Sequence, residues 1–222
     1  MKQETLFEKK GHIGTDESGK GDYFGPLVVA GFFLPDGQEQ VLQELGVRDS
    51  KKISDNRIRE IAEILKGGYK HSLVVIGPKK YNELYTKLRN LNKLLAWAHA
   101  RVIENILEEV PCSSAVTDQF GDKLFVINSL MKRGKGIELI QRPKAEEDLA
   151  VAAASILARA EFLRRMYFLS QEIGRELPRG ASALVEAVGL DLVRKHGESV
   201  LDEVAKKHFK ITNRIMNLID TG

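Results

Sequence analysis

Two adjacent acidic residues, Asp16 and Glu17, follow an apolar segment and directly precede the glycine-rich stretch 18–21. Acidic side chains at the end of a buried strand cost free energy unless a cation pairs with them. The glycine-rich stretch can present backbone N–H groups and the Lys20 ammonium to a phosphate. Carboxylates that can bind a metal ion, next to a loop that can bind a phosphate, indicate metal-dependent phosphodiester chemistry.

Two further groups of acids stand at predicted strand ends or helix entrances. Asp118 ends the segment SAVTD, and Glu146, Glu147 and Asp148 precede a strongly helical segment. Two Mg²⁺ ions about 3.5–4 Å apart can clamp the attacking and leaving oxygens of a phosphoryl displacement, with carboxylates as ligands. Solvation of a strand end is the alternative for Asp118, and complementing a helix dipole is the alternative for the other three. In a regular strand Glu17 faces away from its neighbouring acid, so it joins a shared site only where the chain turns.

The first segment also resembles a phosphate-binding P-loop, which indicates a different function. Gly14, Gly19 and Lys20 occupy the fixed positions of that pattern, but Gly21 stands where the motif needs a Ser or Thr hydroxyl for Mg²⁺. The acids between these glycines would also place negative charge inside a cradle for phosphates. The pattern therefore disfavours an NTPase.

Two other classes of enzyme lack support in the sequence. The histidines show no close ligand spacing for zinc, and the G-x-S-x-G motif of serine hydrolases is absent from the sequence.

The composition is that of a globular protein without a membrane span. Of the 222 residues, 43% are hydrophobic and 29% are charged, and the net charge of +3 permits nucleic-acid binding without demonstrating it. The first residues are polar and charged, unlike a signal peptide. A single cysteine, Cys112, excludes an intramolecular disulfide and fits a reducing compartment. We expect a cytoplasmic monomer that binds no membrane.

Strand and helix patterns alternate through the first two thirds of the chain, which predicts an α/β fold with a mixed sheet and a helical C-terminal region. The predicted strands are 10–16, 26–34, 71–77, 114–118 continuing into 119–120, and 136–143. Ser54 is a good N-cap for a helix over 55–66. We expect Trp97 to pack in the core and Gly189 to interrupt the C-terminal helices. A single domain over 1–222 is expected, with an extension at 1–10 and a helical part over about 178–222.

The segment DESGKGDYFGPLVVAG resembles the signature of type 2 ribonucleases H, and specifically ribonuclease HIII, where Ser-Gly-Lys-Gly replaces the Ala-Gly-Arg-Gly usual in ribonuclease HII. The resemblance continues, in order, through GVRDSKKIS, NLNKLLAWAHA, VTDQF, KAEEDLAVAAASILARAEFL and LPRGAS. It implies an RNase H-like fold, with a mixed central five-stranded sheet flanked by helices. It also implies hydrolysis of the RNA strand of RNA–DNA hybrids, with two Mg²⁺ or Mn²⁺ ions, to 5′-phosphate and 3′-hydroxyl ends.

The resemblance also implies which acids form the active site. Asp16 and Glu17 match the first two catalytic and metal-binding acids of the family, and Asp118 matches the third. Lys144-Ala145-Glu146 resembles the family segment before the AAAS helix, which favours Glu146 as the fourth. Asp148 lies 30 positions after Asp118, a spacing that also resembles the family, so it is the second choice, and Glu147 is the third.

Other residues in family-like segments are implied to bind the hybrid. The loop Ser18, Gly19, Lys20 and Gly21 would lie near the scissile phosphate and the ribose 2′-hydroxyl groups, which distinguish RNA from DNA. Backbone contacts are expected from Ser50, Lys51, Asn92, Arg142, Ser155, Arg179 and Ser182, and a structural role is the alternative for each.

One difference from the family concerns the N-terminus. Ribonucleases HIII usually carry an N-terminal substrate-binding domain resembling TATA-binding protein, whereas about ten residues precede the core in this sequence. We therefore expect weaker hybrid binding that depends on the basic surface of the core and falls with salt. A ribonuclease HII-like activity on single ribonucleotides in duplex DNA is the alternative function. Two further alternatives are a protein of this fold that binds hybrids without cleaving them and an enzyme of this fold that cleaves DNA.

Overall fold

A computed structural model describes residues 11–48, 50–118 and 123–220, so the expected extension at 1–10 and residues 119–120 lie outside the described part. The strands are β1 Gly11–Ser18, β2 Leu27–Pro35, β3 His71–Ile76, β4 Ser114–Asp118 and β5 Glu138–Arg142. The α-helices are α1 Glu39–Leu45, α2 Asp55–Gly68, α3 Pro78–Leu88, α4 Leu91–Leu107, α5 Lys123–Ser129, α6 Leu149–Ile173, α7 Ala183–His196, α8 Val200–Val204 and α9 Lys210–Asp220. Short 3₁₀ helices cover Ser50–Lys52, Gly134–Gly136 and Ala145–Glu147.

The five strands form one sheet in the order β3-β2-β1-β4-β5. Strands β1 and β4 are parallel, with Thr15 opposite Thr117, and β4 is parallel to β5. Parallel neighbours end at the same edge of a sheet, so the residues after this threonine pair, Asp16 and Asp118, share that edge. The predicted α/β fold with a mixed sheet and a helical C-terminal region is confirmed.

The chain divides into two compact units, which we describe separately. Within the described residues, unit 1 comprises 11–17, Val29–Val74 and Asn92–Ala160, and unit 2 comprises Ser18–Val28, Val75–Leu91 and 161–220. Unit 1 holds most of the sheet and all the predicted catalytic acids. Unit 2 holds the glycine-rich stretch and the C-terminal helices.

The core of unit 1 lies between the sheet and α4. One buried cluster contains Ile13, Phe33, Ala100, Ile103, Ile106, Ala115 and Leu130. On the other face of β1, a Cβ atom on Gly14 would lie 2.1 Å from the carbonyl carbon of Ala150. Glycine at this position therefore lets the start of α6 lie directly on β1. Alternation along the strand places Asp16 on the face that carries α6 and Thr15 on the face that carries α4.

Most helix boundaries follow their local signals. The Ser54 hydroxyl accepts a hydrogen bond from the backbone N–H of Arg57, which confirms Ser54 as the N-cap of α2.

The expectation that Trp97 packs in the core was wrong, because 38% of this residue is exposed on α4. The expectation for Gly189 was also wrong: α7 continues through it, and a Cβ there would lie 2.6 Å from Ile215. No helix in the described ranges is both long enough and apolar enough to cross a membrane.

Candidate active site

Asp16 lies near the end of β1 in an environment that opposes its negative charge. Burial, and then the charge of Glu17, raises the pKa of Asp16 to about 7. Two hydrogen bonds lower the pKa of Asp16 in part. One is with the Ser155 side chain, and in the other the backbone N–H of Glu17 donates to Asp16 Oδ1 at 2.8 Å. Two adjacent carboxylates with too little compensating positive charge form a site that favours a cation.

Glu17 lies on the opposite face of β1 from Asp16, as regular alternation predicts. Its carboxylate atom Oε2 is 3.3 Å from Nε2 of His99 on α4, and only 12% of the Glu17 side chain is exposed. The two carboxylates therefore flank the strand end from its two faces. They remain close enough for the charge of Glu17 to raise the pKa of Asp16.

Asp118 is the last residue of β4, the strand beside β1. Its backbone pairs in parallel register with Arg142 at the end of β5, and its side chain is half-buried. The structure thus places the third predicted acid at the sheet edge that carries Asp16. Arg142 is half-exposed at the same edge, with Nη2 3.7 Å from Asp148 Oδ2.

The three acids before α6 occupy different environments. Glu146 is half-buried beside Ala145, which packs against Val116 of β4, whereas Glu147 is exposed. Asp148 caps α6, because its Oδ1 accepts hydrogen bonds from the N–H groups of Ala150 at 2.9 Å and Val151 at 3.3 Å.

Asp148 also pairs with a histidine of β1. His12 Nε2 lies 2.9 Å from Asp148 Oδ1, and this contact raises the pKa of His12. Burial alone would raise the pKa of Asp148. The pairing with His12 and the hydrogen bonds from the helix N–H groups outweigh burial, so the pKa is lowered. Asp148 therefore already has partners that stabilise its charge.

The described residues do not gather a ready-made metal cluster. Across 11–48, 50–118 and 123–220, no group of three or more His, Cys, Asp or Glu side chains is arranged to hold a metal ion. The structure places Asp16 and Glu17 at one strand end, on its two faces, and Asp118 at the same sheet edge.

A pair of buried serines, together with Arg159, connects Asp16 to α2. Ser50 Oγ and Ser155 Oγ are 2.7 Å apart, and Ser155 is the residue that hydrogen-bonds with Asp16. Arg159 donates to the Ser50 carbonyl oxygen and, at 2.6 Å, to Asp55 Oδ1. Ser50 and Ser155 were predicted to contact the substrate, with a structural role as the alternative, and in the structure their hydroxyl groups contact each other and support Asp16. Lys51, next to Ser50, is exposed on the 3₁₀ helix.

Unit 2 brings the glycine-rich loop next to the predicted LPRGAS segment. Asp22 Oδ1 accepts from the N–H of Gly180 at 2.6 Å, and the N–H of Tyr23 donates to the Gly180 carbonyl oxygen at 2.9 Å. Gly19 has a φ of +86°, and a Cβ there would lie 2.2 Å from the Pro26 carbonyl oxygen. Two segments predicted to bind substrate are therefore held side by side.

The residues of these two segments are exposed to solvent to different extents. Gly21, Arg179 and Ser182 are exposed, whereas Ser18 and Lys20 are half-buried. A Cβ on Gly21 would meet no atom within 4 Å, so the loop is open at that position. Asn92, in unit 1, is half-buried at the start of α4.

Comparisons with known proteins identify the family. The family model described as Ribonuclease HII matches residues 13–212. The chain belongs to the ribonuclease HII family. Ribonuclease HIII of Protochlamydia amoebophila is 45% identical over 208 residues, which cover 94% of this chain and 69% of the relative. Ribonuclease HIII of Chlamydia felis is 43% identical over 209 residues, covering 91% of this chain and 69% of that protein.

A solved structure supports the same assignment. The crystal structure of Bst-RNase HIII in complex with Mn²⁺ superposes with a TM-score of 0.87 at 33% identity, covering 94% of this chain and 70% of that one. The predicted resemblance to ribonuclease HIII and the RNase H-like fold are confirmed. The chain is therefore a ribonuclease H, an enzyme that hydrolyses phosphodiester bonds of RNA internally.

A buried lysine in unit 2 of this ribonuclease holds the chain that follows the glycine-rich loop. Lys206 is fully buried, and its Nζ donates to the carbonyl oxygens of Gly25 at 2.7 Å and Phe24 at 3.3 Å. Its backbone N–H donates to the Tyr23 carbonyl oxygen at 2.8 Å. Burial lowers the pKa of Lys206 to about 7. The turn after the loop is thus fixed by a residue more than 180 positions away in sequence.

Replacing Lys206 with methionine is expected to destabilise the protein by about 1–3 kcal/mol near pH 9, because buried carbonyl oxygens lose their donor. Since the folded pKa lies below the unfolded value, the unfolded chain binds more protons between about pH 7 and pH 10, and the stability contributed by Lys206 rises with pH there. Urea unfolding of both proteins at several pH values measures the difference. Lys207→Met is the matched control, because Lys207 is exposed and pairs with Asp202. A difference that shrinks with rising pH would mean that the carbonyl oxygens stabilise the ammonium form.

Proposed function

We propose that the protein cleaves the RNA strand of RNA–DNA hybrids, leaving 5′-phosphate and 3′-hydroxyl ends, with two Mg²⁺ or Mn²⁺ ions. The observation that carries the proposal is the carboxylate pair at the end of β1, where burial and mutual repulsion raise the pKa of Asp16. Such a pair is stabilised by a divalent cation. Membership in the ribonuclease HII family and the Mn²⁺ complex of Bst-RNase HIII support it.

The donors fit the proposed metal. Magnesium and manganese prefer carboxylate oxygens, and Asp16, Glu17, Asp118 and Glu146 would supply them. Glu146 is our choice for the fourth position, because it is half-buried, it follows Ala145, which packs against Val116 of β4, and its carboxylate forms no hydrogen bond or ion pair among the described residues. Asp148 is the alternative. When bound, the ions supply the positive charge that activates a water and stabilises the departing 3′-oxygen.

The protein's own residues would position the acids and the substrate. The Ser50–Ser155 pair orients the Asp16 carboxylate, and the Glu17 backbone N–H fixes one of its oxygens. Lys20 would contact a phosphate, and backbone N–H groups of the loop 18–21 would bind the hybrid in its minor groove, where 2′-hydroxyl groups are displayed. Arg142, Lys51, Asn92, Arg179 and Ser182 would add contacts to the nucleic-acid backbone.

Cleavage of defined substrates tests the proposal. One substrate is a continuous RNA–DNA hybrid, another is duplex DNA with a single embedded ribonucleotide, and an all-DNA duplex is the control. We expect internal cuts in the hybrid that need Mg²⁺ or Mn²⁺ and decline as salt weakens phosphate contacts. Efficient cutting 5′ of the single ribonucleotide would instead assign a ribonuclease HII-like activity. Binding of the hybrid without cutting, or cutting of the all-DNA duplex, would contradict the proposal.

We also propose that the enzyme acts as a cytoplasmic monomer. The single cysteine, Cys112, suits a reducing compartment and forms no intramolecular disulfide. Sedimentation of the protein with and without hybrid tests the monomeric state, because a monomer gives one species near 24.8 kDa in the absence of nucleic acid. Fractionation of the source cells tests the cytoplasmic location.

A further inference from the structure

His99 lies inside unit 1 at the point where the acid-bearing strands end. It belongs to α4 and has no exposed surface. Its neighbours along the helix, Ala98 and Ala100, are also buried. Burying a polar ring in an apolar layer costs free energy unless its nitrogens find partners. The partners that His99 contacts are therefore informative.

One nitrogen of the ring contacts two neighbouring strands. His99 Nδ1 is 2.7 Å from the hydroxyl oxygen of Thr15 on β1 and 3.4 Å from that of Thr117 on β4. These threonines are paired in register, and each immediately precedes a predicted metal-binding acid. One imidazole thus links the two strand ends that carry Asp16 and Asp118.

The other nitrogen of the ring faces the second acid. His99 Nε2 lies 3.3 Å from Glu17 Oε2. If Nδ1 accepts from the Thr15 hydroxyl, the ring proton is on Nε2, the nitrogen in contact with the Glu17 carboxylate. This contact has the distance of an ion pair and does not meet hydrogen-bond geometry. A histidine can do this because its two nitrogens are on opposite sides of a rigid ring.

We propose that His99 is a positioning residue of the active site. It fixes the spacing of the strand ends through Nδ1 and orients the Glu17 carboxylate through Nε2, so that Glu17 is ready to bind a metal. This role rests on the proposed metal-dependent function. Groups that orient a ligand from outside the metal's own shell typically change metal affinity by about 10- to 100-fold when they are lost.

Two substitutions separate the two halves of this role. In His99→Asn the amide group can occupy the place of Nδ1 but does not reach Glu17. In His99→Gln the amide N–H can occupy the place of Nε2 and still reach Glu17. His71→Gln is the matched control, because His71 lies on β3 and contacts the Tyr69 carbonyl oxygen.

Mn²⁺ binding without substrate, followed by calorimetry or by the loss of the free-ion electron paramagnetic resonance signal, is the main measurement. We expect His99→Asn to weaken Mn²⁺ binding by about 10-fold or more, and His99→Gln to lie closer to wild type. In cleavage assays, kcat of His99→Asn should fall at limiting metal and recover at high metal, while KM for the hybrid stays within about 2-fold. Equal Mn²⁺ affinity in wild type and both variants, with only a lower thermal midpoint, would overturn the proposal.

Thr117→Val provides an independent check if the His99 variants do not fold. It removes one hydroxyl contact with Nδ1 while keeping the side-chain volume, and we expect Mn²⁺ binding to weaken severalfold. Unchanged binding would count against the role of Nδ1. Failure of the proposed function is distinguishable, because it would appear as absent Mn²⁺ binding and absent hybrid cleavage in the wild-type protein itself.

Discussion

Replacing Asp16 with asparagine is expected to reduce hybrid cleavage by at least about 100- to 1,000-fold while the protein remains folded. The substitution keeps the size of the side chain and its hydrogen-bond acceptor for the Glu17 N–H. It removes a negative charge that would help to hold the metal ions. Single-turnover cleavage at saturating Mn²⁺ measures the effect, and circular dichroism checks the fold. Near-normal turnover would show that Asp16 is not a metal ligand.

The same substitution should stabilise the metal-free enzyme, and the gain should depend on pH. The folded pKa of Asp16 is about 7, above its ordinary value, so folded Asp16 binds more protons than unfolded Asp16 between about pH 4 and pH 7. Wild-type stability therefore falls as pH rises through that window, and asparagine is free of this effect. We expect Asp16→Asn to be no more stable than wild type near pH 4, and more stable by about 2–4 kcal/mol near pH 8.

Urea unfolding with a chelator present, at several pH values between about 4 and 8, measures this stability difference. Asp36→Asn is the control, because Asp36 is an exposed residue in a turn, and its curve should follow that of wild type. Added Mn²⁺ should stabilise wild type and leave Asp16→Asn nearly unchanged. An unfolding free energy of Asp16→Asn that matches wild type at every pH would mean that the Asp16 carboxylate carries no buried-charge cost in the metal-free fold.

The sequence predicted the features that arise from local periodicity. Strand β1 and its acids, the Ser54 cap and the α/β alternation all follow from patterns within about ten residues. The alternation of a strand also predicted that Glu17 faces away from Asp16. Local patterns predicted less well where packing decides: Trp97 lies on an apolar helix yet is 38% exposed, and Gly189 is retained inside α7 because Ile215 packs against it.

The supporting contacts could not be predicted, because they join distant parts of the chain. His99 and Thr15 are 84 positions apart, and Ser50 and Ser155 are 105 apart. A single histidine among alanines and leucines is typical of a core residue, and only the fold brings it against two strands and Glu17. Lys206 gave no signal either, since its partners are backbone carbonyl oxygens. The contacts that orient the acids and the loop therefore became visible only with the tertiary structure.

The identity of the fourth acid is decided by comparing Glu146→Gln with Asp148→Asn. Asp148 pairs with His12, which precedes Asp16 by four residues, or about 13 Å along a strand. The contacts of Asp148 therefore hold it toward the start of β1, and its carboxylate already accepts two helix N–H groups. The Glu146 carboxylate has no such partners within the described residues, and the preceding residue, Ala145, packs against Val116 of β4.

We expect Glu146→Gln to lose at least about 100-fold in cleavage with little change in stability. Asparagine remains a good N-cap, so Asp148→Asn should keep the start of α6 and stay within about 1 kcal/mol of wild type. Its cleavage rate should remain within about 5-fold of wild type if Asp148 serves the helix and His12 alone. Single-turnover rates across a Mn²⁺ titration, with thermal unfolding of each variant, provide both readouts. The reverse outcome would assign the fourth position to Asp148, and would require its carboxylate to leave His12 when the metal binds.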